Sequence, residues 1–477
     1  MPTRKNTNTK KLEKAEESPA PSDSASSIDS ASSGTNMQDT ASEDKEIIEE
    51  KATMPIVPKL SAAARHHKTR KNSKEIELQL DRIEEYIYSN RFSHVYLYDG
   101  ISNDSVLAVR EAIDAANKSS DDNIKTSPKG VVLHINSPGG AVTAGIGLMR
   151  IVSRSRVPVI VYIEGISASA ATFVSVLAKY RVMAPYASFL IHQYWSFSMG
   201  KHEELEFQMR DNRKMFSMLK TMYLRHTRIP AKYLDEILSH DLLLTPELAL
   251  EYGLVDKVLK PLGPEHIEKY FRINPEYEFS KRMLDIKTNL NNIYLYGSFE
   301  FGDTFSVPKN TVKRICDIIQ RQAPYLSTKS RSADINHVIT KGGAKPIVFH
   351  VSDLGQFTNL YHILPIANTL ALCSVPTISI IDGPMSAICL LFTIICNKRY
   401  IYEYSYVTVD FVHYSENDVK LGDTLYNTKM FLGLILTLLR KYTKLPSDII
   451  HDIFKKRFIF SANQCVQYGI CDGVMRE

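Results

Sequence analysis

A chain of 477 residues, 44% hydrophobic and 23% charged, can bury more than one core at roughly 150 residues per domain. Its net charge is only +5, and its lysines and arginines are scattered among acids. That excludes nucleic acid as the principal partner, because phosphate affinity needs a clustered basic face.

Residues 1–75 are rich in Ser, Thr, Lys, Glu and Ala. Such a segment buries too little apolar surface to offset its ordering entropy and is expected to be disordered. Residues 1–12 are basic and free of acids, faintly like an organelle transit peptide, but Glu13, Glu16 and Glu17 follow at once. A cytoplasmic location is therefore expected over organelle import. Beyond Glu75 the pattern predicts a strand at 94–100, a helix at 105–116, a strand at 130–136 and a helix at 141–155. A strand at 157–163, a helix at 169–179, a long polar-amphipathic helix at 202–226 and a closing segment 254-LVDKVL-259 follow. Strands apolar on both faces and alternating with helices indicate an α/β fold with parallel strands and crossovers. The apolar run 388-ICLLFTIIC-396 has nine residues, against about 20 for a membrane span, so no membrane partner is expected. All six cysteines fall between Cys316 and Cys471 with no CxxC pair and no zinc spacing. They predict no metal site, small buried thiols and a reducing compartment.

The chain also repeats itself. The strand 94-HVYLYDG-100 returns as 292-NIYLYGS-298, and 132-VLHINSPGG-140 returns as 348-VFHVSDLGQ-356 at an offset of 216. The segment 157-VPVIVYIEG-165 returns as 375-VPTISIIDG-383 at 218, and 251-EYGLVDKV-258 as 467-QYGICDGV-474 at 216. Four matches in order at a near-constant offset predict a duplicated domain rather than a solenoid of short repeats. The expected division is 1–75, a domain at 76–265, a linker at 266–290 and a second domain at 291–477.

Three features of the first copy carry chemistry. In 136-NSPGGAVTAG-145 a strand turns through glycines into a helix, where backbone N–H groups can meet an anion or oxyanion; taken alone, a purely structural turn is the better reading. In 164-EGISASAATF-173 a second strand-to-helix junction offers two serines, Ser167 and Ser169, either as a presented hydroxyl or as a helix cap. In 189-FLIHQ-193 a histidine ends an apolar strand, a position commonly filled by a packed core residue.

Together these motifs resemble the proteolytic subunit of the Clp protease (ClpP). The run 135-INSPGGAVTAG-145 is similar to that family's glycine turn. Gly165, Ser169 and Phe173 match the spacing of its nucleophile turn, which points to Ser169 and leaves Ser167 as a local cap. Ile191-His192-Gln193 matches its histidine triplet, and Asp241 stands four residues before Thr245 and ahead of 251-EYGLVD-256, as its aspartate does. The resemblance covers about residues 92–260. It implies a Ser169–His192–Asp241 triad, with an oxyanion hole from the backbone N–H groups of Gly140 and Ala170 and no cofactor. It implies a ClpP/crotonase-like spiral of repeated β-β-α units, in tandem here, a peptide or unfolded-protein substrate, and assembly as a homo- or hetero-oligomer of stacked rings. A separate ATP-dependent unfoldase would feed it, since the chain has no GxxxxGK[ST]. The segment 194-YWSFSMGK-201 departs from the family, with aromatics where a Pro- and Gly-rich strand is expected.

In the second copy Ala387 stands for Ser169, Asp410 for His192, Arg457 for Asp241 and Gln356 for Gly140, which predicts a structural, inactive domain. Its helix at 424–441 is apolar all round and is expected to be buried against another subunit. His134 is matched by His350 where the chemistry is missing, so it reads as structural, and His240 as a solvated helix end. The rival readings are a signal-peptide-peptidase-like tandem, a crotonase-type CoA enzyme and a non-catalytic scaffold subunit of a mixed ring. The ordered Ser, His and Asp weigh against all three.

Overall fold

A run of ten consecutive buried residues, Val159–Ala168, is the spine of the N-terminal half. In this computed structural model the described residues are 80, 83–89, 91–121, 129–193, 198–265, 268, 291–296, 316, 319, 346–353, 360–409, 421–453 and 456–476. The expectations for residues 1–75, the aromatics at 194–197, most of the linker at 266–290, Gln356 and Asp410 fall outside them.

The first half runs α1 (Ile83–Ile87), β1 (Ser93–Leu97), α2 (Asn103–Asp121), β2 (Val131–Ser137), α3 (Val142–Ser153) and β3 (Val159–Ala168). It continues α4 (Ala171–Leu177), β4 (Tyr180–Met183), β5 (Ser188–Leu190), α5 (His202–His226), α6 (Ala231–Ser239), β6 (Leu243–Leu244), α7 (Pro246–Glu251) and β7 (Lys257–Val258). The sheet order is β1-β2-β3-β4-β7, all parallel, as strands buried on both faces require. Strand β3 has two partners in succession. Ile160–Ile163 pair with β4, and Ile166–Ala168 pair with β5, which in turn holds β6 antiparallel.

The switch between partners falls at Gly165. There the β2–β3 register shifts, and Asn136 Oδ1 accepts the Ile166 N–H at 3.0 Å. A Cβ at 165 would stand 2.1 Å from that oxygen, so only glycine fits. The polar side chains of β3 are buried with partners. Glu164 Oε1 lies 2.8 Å from His134 Nδ1, and Ser167 Oγ lies 2.9 Å from Ser175 Oγ. Ser167 is thus a residue of the strand interior. The residue capping α4 is Ala170, without a side-chain bond, which corrects the expected capping role of Ser167. The strand outruns its predicted end at 163 because each polar group along it is satisfied internally.

The C-terminal half runs β8 (Asn291–Tyr296), β9 (Ile347–Asp353), α8 (Leu360–Ala371), β10 (Thr377–Met385), α9 (Ala387–Thr393), β11 (Lys398–Tyr402) and β12 (Tyr406–Val409). It closes with α10 (Leu421–Tyr442), α11 (Ser447–Asp452), β13 (Phe458–Ser461), α12 (Ala462–Gln467) and β14 (Gly473–Met475). Here β10 takes β9 and β11 in parallel, then meets β12 at Met385 after a register shift, and β12 holds β13 antiparallel. Arg181 and Asp256 are ion-paired at 2.5 Å, and Arg399 and Asp472 at 3.2 Å. His134 pairs with Glu164, and His350 with Asp382 at 3.1 Å.

Helix α8 lies against β3 of the other half. Its buried Asn368 donates to Glu164 O at 2.7 Å and accepts from Tyr186 N at 2.8 Å. On α10, Phe431, Ile435, Leu438 and Leu439 are buried within this same chain, where the sequence pattern leads one to expect a subunit contact. All six cysteines are buried, and burial pushes the thiols of Cys373 and Cys396 up to about 12. Among the described residues no helix is long and apolar enough to cross a membrane, and no group of three or more potential metal ligands occurs.

Candidate active site

Strand β3 ends at Ala168 and α4 begins at Ala171, so the chain reverses within two residues. Ser169 makes that reversal with φ of 52°, the only non-glycine residue at positive φ among those described. The conformation costs about 1–3 kcal/mol and persists only where the surroundings over-determine it. They do so here through backbone bonds. Ser169 N–H donates to Leu190 O at 3.0 Å, and Ser169 O accepts from Thr172 N at 3.0 Å and from Thr172 Oγ1 at 2.5 Å. Thr172 Oγ1 is also 2.5 Å from Tyr223 OH. The threonine proton is already given to the Ser169 carbonyl, so the phenol is the donor to Thr172. Burial pushes the Tyr223 pKa upward, which keeps that proton in place. The long helix α5 therefore braces the serine turn through Tyr223.

The glycine turn presses on the same spot. Gly139 has φ of 95°, and a Cβ there would stand 2.6 Å from both Ser169 Cβ and Ala168 O. Gly140 has φ of 151°, and its Cβ would stand 2.5 Å from Ile101 O. Ile101 is bridged by the residues flanking Gly140: it donates to Gly139 O at 2.7 Å and accepts from Ala141 N at 2.9 Å. The Gly140 amide takes no part in that bridge. Ala170, buried at the start of α4, is among the helix's first N–H groups.

His192 and Asp241 are brought together by strand register. The antiparallel pairs Phe189↔Leu244 and Leu190↔Leu243, extended by two residues, set His192 opposite Asp241. His192 Nδ1 lies 3.1 Å from Asp241 Oδ1, with the imidazole 21% exposed and the carboxylate 41%. Because Ala168 pairs with Leu190 in parallel, Ser169 and His192 follow neighbouring strands at the same end of the sheet. The serine hydroxyl makes no hydrogen bond to the imidazole in this structure. Free hydrolase sites are commonly loose at this contact and tighten on substrate.

The other histidines sit elsewhere. His134 is wholly buried, stacked on Tyr96 and bonded to His94 at 2.9 Å as well as to Glu164. Tyr98 donates to the second oxygen of that carboxylate, and burial together with Glu164 raises its pKa. His240 caps the end of α6 and is half-buried rather than fully solvated. In the C-terminal half, Ala387 opens α9 behind Ser386, whose φ is −78°, so the strained turn of Ser169 has no counterpart there. Arg457 is exposed.

Sequence reasoning missed three residues that hold the site: Tyr223, Asn368 and Asn427. Asn427 donates to Asp241 O at 2.5 Å and accepts from Leu243 N at 2.8 Å. Asn368 is a polar residue inside an otherwise apolar helix stretch, whereas Asn427, among Asp423, Thr424, Thr428 and Lys429, carries no such sign in the sequence. Residues 118–261 match the family model described as Clp protease.

Proposed function

We propose, for a chain that residues 118–261 place in the Clp protease family, that Ser169, His192 and Asp241 form the triad of a serine endopeptidase. Ser169 Oγ attacks the peptide carbonyl carbon as His192 takes its proton, and the imidazolium returns that proton to the leaving amine. Water then repeats the sequence on the acyl-enzyme. Asp241 holds the imidazole tautomer and stabilises its cation, and the Gly140 and Ala170 amides receive the oxyanion. The reading rests chiefly on Ser169, a residue held at positive φ against a glycine turn. Structural serines do not need that conformation.

The same reading divides the chain into a catalytic domain at 76–265, a linker at 266–290 and an inactive domain at 291–477. Supporting it, the Arg181–Asp256 and Arg399–Asp472 pairs stand at offsets of 218 and 216, as do the His134–Glu164 and His350–Asp382 pairs in the reverse order. Substrates are peptides and unfolded chains, with ring assembly and a separate ATP-dependent unfoldase as partners. The aromatics of 194-YWSF-197, where the family pattern has a Pro- and Gly-rich strand, favour a second reading, a non-catalytic scaffold subunit of a mixed ring.

Fluorophosphonate labelling of the full chain separates the two readings. The expected result is one modified serine, Ser169, with labelling retained in Ser167→Ala. Modification at Ser167, or none under conditions where the protein is folded, would overturn the assignment.

A further inference from the structure

The Asp241 segment is held by the C-terminal half of the chain. Asn427 on α10 donates its Nδ2 to Asp241 O at 2.5 Å and accepts the Leu243 N–H on Oδ1 at 2.8 Å. A side-chain amide that takes the C=O of one residue and gives its own C=O to the N–H two residues on acts as one peptide unit of an added strand. The two bonds bracket the turn that brings Asp241 opposite His192. They are shielded, because Ile166, Ala168, Leu243 and Phe431 form a separate buried cluster with Leu190 and Met430 packed against it. Met430 and Phe431 follow Asn427 by three and four residues, so all three share one face of α10. That face meets the ends of β3, β5 and β6, the strands that carry Ser169, His192 and Asp241.

The contact is one-sided. At the repeat offset of 216, position 427 corresponds to Asp211 on α5, which is exposed and lies 3.5 Å from Lys214 in a surface pair. The residue standing for Asp241 is Arg457, also exposed. The clamp is present where the chemistry is and absent at the corresponding place where it is not.

We infer that Asn427 is a positioning residue for the peptidase site, acting through Asp241, so that the inactive half sets the geometry of the active one within a single chain. The inference rests on the reading of Asp241 as the triad acid. Freed from the clamp, the carboxylate drifts from His192. Misplacement by about 1 Å is worth roughly 100-fold in rate.

The test compares Asn427→Ala, Asn427→Asp, Asp241→Asn and the Asn427→Ala/Asp241→Asn pair in the full-length chain, using a short fluorogenic peptide. Asn427→Ala is expected to lower kcat by about 10- to 100-fold with KM little changed, and to slow fluorophosphonate labelling alike. A loss confined to kcat is the mark of a displaced catalytic group, because a variant that merely loosened the substrate cleft would raise KM instead. Asn427→Asp keeps the acceptor for Leu243 and loses the donor to Asp241. It should show a comparable loss in kcat, and it serves if the alanine variant does not fold. In the Asp241→Asn background, Asn427→Ala should add nothing further. Unchanged kcat in both Asn427 variants, or an equal loss in the Asp241→Asn background, would overturn the inference and leave the triad standing. Full activity in Asp241→Asn would instead remove the triad reading and this inference with it.

Discussion

Ser169→Ala is expected to lower peptide hydrolysis by about 10⁴–10⁶-fold while the protein remains folded. The loss is large because triad members act as a unit, and without the hydroxyl neither His192 nor Asp241 has a proton transfer to assist. The fold survives because the bonds that hold the turn use the backbone of residue 169. Leu190 O takes its N–H, and Thr172 bonds its carbonyl, with Tyr223 behind. Alanine keeps the Cβ and therefore the strain at φ of 52°. Ser169→Gly should be as inactive as alanine yet no less stable, since glycine occupies positive φ without a steric penalty. Steady-state kinetics beside a thermal melt checks both variants. Hydrolysis within tenfold of wild type in Ser169→Ala would dismiss the nucleophile.

Arg181→Ala is expected to cost about 3–5 kcal/mol of stability, the range for breaking one side of a buried ion pair. The guanidinium bonds both oxygens of Asp256, at 3.0 Å through Nε and 2.5 Å through Nη2, while Nη1 reaches Gly253 O at 2.9 Å and His226 O at 3.1 Å. One side chain thereby ties β4 to the end of α5 and to the turn before β7. Its removal leaves a carboxylate only 12% exposed without its cation. Arg181→Lys should not rescue it, because an ammonium cannot span the carboxylate and two carbonyls as a planar fork does. Arg399→Ala is expected to cost less, as Asp472 is 34% exposed and its pair is longer, at 3.2 Å. Denaturant midpoints of the three variants decide the order. A larger loss in Arg399→Ala than in Arg181→Ala would show that burial does not govern these pairs.

What the sequence made legible follows from how local each signal is. Helix α5 is found at its predicted bounds, 202–226, because a long amphipathic stretch declares itself, with Glu204 accepting from the Lys201 N–H at its start. The candidates Ser169, His192 and Asp241 were singled out because each matches a short motif of the family that the sequence resembles, at a strand or helix end. The end of β3 was not, because Glu164 and Ser167 read as loop residues until His134 and Ser175 are placed beside them. The same holds for the supports of the site. Tyr223 is 51 residues from Thr172, and Asn427 is 186 from Asp241. Such pairs exist only once the sheet is assembled. The apolar character of α10 was read correctly as burial, with Phe431 set against β3 and β6 and Ile435, Leu438 and Leu439 in the core of the C-terminal half.

The confinement of every thiol to the C-terminal half makes that half separately observable. All six cysteines lie between Cys316 and Cys471 and are buried, and none lies in residues 1–315. A thiol pushed up to about 12, as at Cys373 and Cys396, is almost wholly protonated at neutral pH and inert to alkylation until it meets water. Pulsed alkylation during unfolding therefore clocks the opening of the C-terminal half, while far-ultraviolet circular dichroism follows the whole fold. Coincident progress curves would mark the chain as one cooperative unit, and an early alkylation phase would mark the C-terminal half as the first to open.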